Sequence, residues 1–398
     1  MKLNYEQYDM FLISKDNWKQ QKDVFFGFKG IGTEGFWLQL KNNGNTLTIK
    51  GSYLQPAIAI YEKDNYWVLS NSVKVLTDFL NEKGIKLTDN KDYISTENMY
   101  IEYDGYCVND YPETETRWNE IKLTPNFSYI EIKDDKLNII ETENNLFKYD
   151  LIDNKTLVTN WFRKYYFHLF DRANKKTRIV GEISGGTDSR FLFNFWKSIN
   201  VSKVVCNWNK DDYQGTFMDG LLGRLIVLYF STHRDKIESK LHIHNVTTKD
   251  IEKDENELFY EGISFSMRNP LDKKIYIEDQ PNSLRYMTIS GVGSEWLKGI
   301  SANNKRFILG TVRRYFIPKF IRTYYLKRVL TVLPYLDSSL LTLKGFNDNT
   351  FLLTLYIKFC PELLSLPFYT NGLIYQPTEY DMLQAKEIIG RWNSSEDL

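Results

Sequence analysis

Ser184-Gly185-Gly186-Thr187-Asp188-Ser189-Arg190 is the segment of this chain whose residue types and spacing suit a definite chemistry. Two adjacent glycines let a backbone approach an anion closely, and hydroxyls and amides opening a following helix present donors where the helix dipole is positive. A phosphate group suits such a place. The segment lacks the lysine and the spacing of a GxxxxGK[ST] loop, so it is not a kinase-type or GTPase-type phosphate loop. Its Asp188 can instead hold a magnesium ion that bridges phosphate oxygens, a role for a hard oxygen ligand. The same residues also read as a flexible turn with a helix cap at Asp188 or Ser189, and local composition alone leaves both readings open.

The elements around the loop bear on that choice. The apolar run RIVGEI precedes it, and FLFNFWKSI and then KVVCNW follow, which predicts a βαβ unit with the glycine loop at its first strand-to-helix turn. Upstream, Leu157, Val158, Trp161, Phe162, Tyr165, Tyr166, Leu169 and Phe170 keep the rhythm of an amphipathic helix. Downstream, FMDGLLGRLIVLYF reads as a helix, LHIHNVTT and RYMTIS as strands, and the chain from about Leu297 as helices and irregular loops. The first part differs in texture. DVFFGF, GFWLQL, LTIKGSYL, AIAIYEKDNYWVLS and SYIEIKDDKLNII are short apolar or alternating runs, and NNGN, EKDN and KDDK supply hairpin turns between them. The helix expected there by pattern is Val73–Lys83. The change of texture at about 146–153, without a Pro/Gly linker, divides the chain into 1–149 and 150–398, packed together; no repeat or low-complexity tract occurs.

Composition excludes several classes. The chain has 398 residues, 51 Lys+Arg against 51 Asp+Glu and 42% apolar residues, so it is an ordinary globular protein rather than a disordered one. Zero formal charge gives no electrostatic reason to expect nucleic acid or an anionic membrane as partner. The 27 Tyr, 25 Phe and 9 Trp are spread over the whole length and read as core and domain-interface packing. Cys107, Cys206 and Cys360 are far apart and in no CxxC spacing, which supports neither a zinc site nor a disulfide framework. With no signal-peptide core at the start and no run near the roughly 18 apolar residues of a membrane span, the expectation is a cytoplasmic protein.

SGGTDS after a buried strand resembles the SGGxDS pyrophosphate loop of the N-type ATP pyrophosphatases, and its surroundings resemble asparagine synthetases and relatives such as β-lactam synthetase. Four other places agree. Ile289-Ser290-Gly291-Val292-Gly293-Ser294-Glu295 resembles the LSGEGSDE segment, and Val332-Leu333-Pro334-Tyr335-Leu336-Asp337 the VPFLD stretch. Thr116-Arg117-Trp118 followed by Ile121-Lys122-Leu123-Thr124-Pro125 resembles the end of the family's N-terminal domain, and Trp67-Val68-Leu69-Ser70 its strand carrying "ASE". The pieces keep the family's order over roughly residues 55–340. The resemblance implies an α+β N-terminal sandwich of the N-terminal-nucleophile (Ntn-hydrolase) type, degenerate here, over 1–149. It implies an α/β doubly wound ATP-pyrophosphatase domain over 150–398.

In that family the second domain binds ATP with Mg2+, adenylates a carboxylate, releases pyrophosphate and lets ammonia or an amine displace AMP, forming an amide. Carried over, Ser184, Gly185, Gly186, Thr187, Asp188 and Ser189, with Gly291 and Gly293, would hold ATP and its pyrophosphate. Asp188 and Glu295 would ligate Mg2+ and be the catalytic pair, Glu295 standing where the family has an aspartate. The strand Val204–Trp208 would lie beside the adenine.

The chain also departs from the family pattern. Glutaminase members begin, after methionine, with a nucleophilic cysteine, whereas residue 2 is Lys2; glutamine hydrolysis is therefore not expected, as in the β-lactam synthetase-type branch. Val292 and Trp296 replace glutamates of the second acidic motif, and the usual Glu and Arg before VPFLD fall on Leu330 and Val332. Those losses argue against aspartate as substrate. The expected function is an ATP-dependent carbon–nitrogen ligase acting on a small carboxylate with ammonia or an amine, in a specialised pathway. Asparagine synthetase itself and a non-catalytic family member are the alternatives. Transfer RNA modification or sulfur transfer would call for a basic surface or a CxxC, and neither is present. A homodimer is an assembly this reading allows.

Other residues carry weaker signals. No motif selects a catalytic lysine among Lys298, Lys344, Lys358 and Lys386. His242 and His244 alternate on a strand pattern without a visible third ligand and read as structural. Asp211 and Asp212 read as a solvated turn, Arg313 and Arg314 as snorkelling residues on a helix face, and Cys360–Phe368 as a packed turn between helices.

Overall fold

A computed structural model of the chain describes residues 11–29, 35–52, 55, 57–95, 114–125, 127–142, 154–175, 177–208, 216–241, 286–289, 291, 329–341, 350–370 and 373–394. They fall into two compact units, residues 11–142 and 154–394. The region expected to hold the boundary, 146–153, lies outside the described residues.

The first unit is built from hairpins. Its strands are β1 (Leu12–Ser14), β2 (Val24–Lys29), β3 (Gly35–Asn42), β4 (Thr46–Gly51), β5 (Ala59–Lys63), β6 (Tyr66–Ser70), β7 (Ile121–Leu123), β8 (Ser128–Lys133) and β9 (Lys136–Glu141). Asp64 and Asn65 join β5 to β6 with φ of 51° and 61°, and Asp134 and Asp135 join β8 to β9 with φ of 51° and 59°. Two left-handed residues in a row make the turn whose twist suits a two-residue hairpin, and Asp and Asn tolerate it. The antiparallel ladders give sheets of order β1-β6-β5-β7 and β2-β3-β4-β8-β9. They face each other across a core of Ile13, Ile60 and Leu69 from one sheet and Leu38, Leu40, Leu47, Ile49, Ile130 and Ile132 from the other. Helix α1 (Val73–Glu82), the helix expected here, starts at Ser72, whose side chain accepts from the Val75 amide. Its Val73, Leu76 and Leu80 cover the other face of the first sheet, against Ala59, Tyr61 and Val68.

One of the resemblance-bearing pieces does structural work in this unit. Thr116 is buried, and its hydroxyl donates to Ile121 O at 2.8 Å and accepts from the Trp118 amide at 3.1 Å. Thr124 Oγ1 accepts from the Ile58 amide at 3.1 Å, so the stretch 116–125 is a hydrogen-bonded corner.

The second unit centres on a parallel sheet of β10 (Ile179–Ile183), β11 (Lys203–Trp208), β12 (Ile237–Leu241), β13 (Tyr286–Ile289) and β14 (Val329–Val332). The order is β12-β11-β10-β13-β14, with every pairing parallel. Among the described residues the helices are α2 (Asn154–Asn174), α3 (Thr187–Trp196), α4 (Thr216–Phe230), α5 (Ser338–Leu341), α6 (Thr350–Phe359) and α7 (Glu379–Ser394). A hairpin of β15 (Phe368–Thr370) and β16 (Leu373–Tyr375) stands between α6 and α7. Ile179, Val180, Gly181 and Ile183 of β10 are buried, as befits a strand covered on both faces. At Gly181 a Cβ would lie 2.7 Å from the Trp196 ring, so the glycine is what lets α3 close onto the strand.

Of the strand expected at LHIHNVTT only Leu241 is described, in β12 (Ile237–Leu241); residues 242–250 lie outside the described set. Among the described residues β12 pairs with β11 alone, as an edge strand that carries Glu238, Ser239 and Lys240. One expectation needs correction. Cys360–Phe368 does not link two helices. Pro361–Ser365 is a 3-10 helix that leads from α6 into β15.

His168 on α2 gives this unit a pH response. Burial, aided by the Arg172 charge, pushes its imidazole down to about 4. The folded state therefore binds fewer protons than the unfolded state between the ordinary value of about 6.5 and about 4. This contribution is fully present above pH about 6.5 and is lost as pH falls through that window. Chemical unfolding at pH 7 and pH 4.5 is expected to show a drop in stability that His168→Phe reduces.

Candidate functional site

The strand order of the second unit, numbered along the chain from β10, is 3-2-1-4-5. In such a sheet the chain leaves its first strand toward one side and returns on the other. A crevice opens at that reversal, at the carboxyl ends of the strands, and it is where α/β folds take ligands. Here the reversal falls between β10 and β13. Ser184-Gly185-Gly186 follows β10, and Gly291 follows β13, so the two glycine segments singled out in the sequence open at this point. A Cβ on Gly291 would stand 3.2 Å from Asp188 Cβ, which puts the two backbones in close approach at Asp188.

Helix α3 starts with Gly186 as its N-cap residue, in extended conformation and with no side-chain cap hydrogen bond. This corrects the cap expected at Asp188 or Ser189: Asp188 lies in the first turn, where a carboxylate favours the helix dipole. The loop is folded by its own serines. Ser184 N donates to Ser189 Oγ at 3.0 Å, the two hydroxyls meet at 2.7 Å, and Gly186 N donates to Ser184 Oγ at 3.2 Å. Thr187 Oγ1 donates to Asp188 Oδ1 at 3.0 Å.

Neighbouring elements set the loop's position. Gly185 N donates to the backbone carbonyl of Asp219 on α4 at 2.8 Å, and Gly185 O accepts from Tyr369 N of β15 at 3.0 Å. Tyr335 Oη donates to Asp188 O at 2.9 Å, and Tyr356 Oη donates to Thr187 O. Burial raises the Asp219 carboxyl above its ordinary value, against the opposing pull of the Ser184 hydroxyl and the Gly185 and Gly186 amides. α4 itself comes close because Gly223 faces the end of β10, where a Cβ would lie 2.9 Å from Ile183 O.

Gly185 is tightly packed: a Cβ would stand 3.0 Å from Leu222 Cβ and 3.1 Å from Tyr369 Cβ, so a side chain would push both neighbours aside. Gly185→Val is expected to lower affinity for inorganic pyrophosphate by about tenfold or more and stability by about 1–3 kcal/mol, the usual cost of overpacking. Calorimetric titration and denaturant unfolding check the two effects.

The structure thus brings together Ser184, Gly185, Gly186, Thr187, Asp188, Ser189 and Gly291. Gly293 and Glu295 lie outside the described residues, as do Lys298, Lys344, His242, His244, Asp211, Asp212, Arg313 and Arg314. Lys358 lies along the Phe359 ring at 5.7 Å, and Lys386 is exposed on α7. Cys206 and Cys360 are buried free thiols, and burial raises both well above the ordinary thiol value, which keeps them protonated and inert. Among the described residues no three His, Cys, Asp or Glu side chains converge as a metal site. Asp219, Tyr335, Tyr356 and Tyr369 had no assigned role in the sequence analysis. An Asn-Gly pair at 371–372 between apolar residues is the signal that marks the hairpin carrying Tyr369.

Fold and site together define a mixed α/β protein whose parallel sheet carries a glycine loop at its switch point. No protein-family model matches the chain, and no curated protein matches it. Among the described residues, no helix is long and apolar enough to cross a membrane.

Proposed function

We propose that the chain is an ATP-dependent ligase of the asparagine synthetase-like kind, which converts a small carboxylate to an amide with release of AMP and pyrophosphate. The observation that carries the proposal is the seat of Ser184–Ser189 at the switch point of the sheet, with Gly291 against Asp188. A pair of adjacent glycines, a helix start without a side-chain cap and a cluster of hydroxyls are what a pyrophosphate group requires. A kinase-type loop would need a lysine that this loop lacks.

Mg2+ fits this donor set. It is held by one or two carboxylates together with phosphate oxygens, and Asp188 offers such a carboxylate beside the loop. Glu295 is the proposed second ligand. When bound, the ion supplies charge neutralisation on the phosphate oxygens. The chain's own part is to orient the pyrophosphate with the Gly186 amide and the Ser184, Thr187 and Ser189 hydroxyls, and to hold it while the carboxylate attacks the α-phosphorus. The bond broken joins the α- and β-phosphates, and ammonia or an amine then displaces AMP from the acyl carbon. In this reading the first unit is a degenerate Ntn-type sandwich without glutaminase activity, and the protein works in the cytoplasm without nucleic acid or membrane partners.

The test is product identity. Purified protein with Mg-ATP, pooled small carboxylic acids and ammonium should release AMP and pyrophosphate in equal amounts. Release of ADP and phosphate would overturn the assignment, and failure to bind ATP at all would favour a non-catalytic role.

A further inference from the structure

Arg190 is the last residue of the motif segment, and its side chain is completely buried on α3. A buried charge normally finds a carboxylate or an equivalent set of acceptors, because desolvation otherwise outweighs what it gains. Arg190 takes the second course. Nη2 donates to Gly185 O at 2.7 Å and to Pro367 O at 2.6 Å; Nη1 donates to Leu366 O at 2.8 Å and reaches Leu363 O at 3.5 Å. The guanidinium also lies over the Phe368 ring, 4.0 Å from its centre. Burial lowers it to about 10, which leaves it charged at neutral pH.

These bonds have a directional consequence. In a trans peptide the carbonyl and the next residue's N–H point in opposite directions. Gly185 O is held by two donors, Arg190 Nη2 and Tyr369 N, so the Gly186 N–H is turned the other way, onto the Ser184 hydroxyl. Thr187 O and Asp188 O are held in the same manner by Tyr356 and Tyr335, which fixes the peptides carrying the Asp188 and Ser189 amides. Three carbonyls of the loop and first helical turn are thus anchored from behind by donors on α3, β15, α6 and the 334–336 turn.

We infer that Arg190 is a positioning residue for the pyrophosphate cradle: it fastens the Gly185 carbonyl to the 363–368 segment and so fixes the peptide whose Gly186 amide holds the Ser184 hydroxyl in the loop. The inference rests on the nucleotide reading above. It names a residue outside the set expected to touch ATP, and it makes the segment leading into β15 the rear wall of the site.

The experiment is calorimetric titration of the full chain with Mg-pyrophosphate and, separately, with AMP. Arg190→Met, which keeps length and loses the donors, should bind pyrophosphate about tenfold or more weakly, the scale of lost charged hydrogen bonds. Arg190→Lys, with one reachable carbonyl in place of four, should fall between it and wild type. AMP affinity should not change, because AMP carries no pyrophosphate. Equal weakening toward both ligands would indicate a structural role only and overturn the inference, as would unchanged pyrophosphate binding by a folded Arg190→Met. If Arg190→Met does not fold, Arg190→Lys carries the test: about a threefold loss toward pyrophosphate with unchanged AMP binding is expected, and no selective loss would overturn the inference. Wild-type protein that ignores pyrophosphate would instead sink the nucleotide reading itself.

Discussion

Asp188→Asn should lower AMP formation from Mg-ATP by about 10²–10³-fold, the range seen when one preorganised electrostatic group is removed from an active site. The substitution is chosen because it keeps shape. Asparagine retains an oxygen that can accept from Thr187 Oγ1, now at 3.0 Å, and its backbone carbonyl still receives Tyr335 Oη. What it loses is the negative charge, on which magnesium binding depends. Charge in the first turn of α3 adds only about 0.3–1 kcal/mol to stability, so the melting temperature should move little. A large loss of activity in a protein that melts normally separates chemistry from folding. Activity within a factor of about three of wild type would remove Asp188 from the site, given the size of the effect expected.

Trp161→Ala should have the largest effect on stability, about 3–5 kcal/mol. The indole is 1% exposed and lies 6.0 Å from Phe191 and 6.2 Å from Tyr335, both stacked, with Phe195 edge-on at 5.6 Å. Its Nε1 donates to Pro334 O at 2.8 Å, so truncation also leaves a carbonyl without that donor. The neighbouring Lys164–Asp337 pair at 2.8 Å, with Asp337 1% exposed, joins α2 to the same turn. Removing Trp161 therefore loosens the 334–337 turn that carries Tyr335, the anchor of Asp188 O. Hydrogen exchange over 154–196 in denaturant should show the loss locally. Trp161→Phe, which keeps much of the packing, should cost clearly less, and equal costs would contradict the packing account.

How much of this was legible in the sequence depended on range. The βαβ unit was readable because an apolar run, a glycine pair and a second apolar run follow one another, and each element is defined within about ten residues. The hairpin turns of the first unit were readable from Asp-Asn and Asp-Asp pairs, whose left-handed tolerance is a property of the residues themselves. The strand order was not readable, since a non-local pairing such as β10 with β13 leaves no mark in either segment. The part of β12 ahead of Leu241 left little trace, because an edge strand can carry charges such as Glu238 and Lys240. Arg190 stood in the quoted motif without a role. Its meaning lies in carbonyls 173 to 177 residues away, and backbone acceptors carry no sequence signature. Tyr335, Tyr356 and Tyr369 were lost among 27 tyrosines that composition assigns to packing.

The central claim is that the loop after β10 holds the β- and γ-phosphates of ATP. The most direct measurement is competition on the full chain in the presence of Mg2+, in which bound ATP is titrated with inorganic pyrophosphate and, in a second titration, with AMP. The account predicts that pyrophosphate displaces ATP in wild type and does so poorly in Gly185→Val and Asp188→Asn, while AMP competes alike in all three. ATP that binds and is not displaced by pyrophosphate, or displacement unaffected by either substitution, would contradict it.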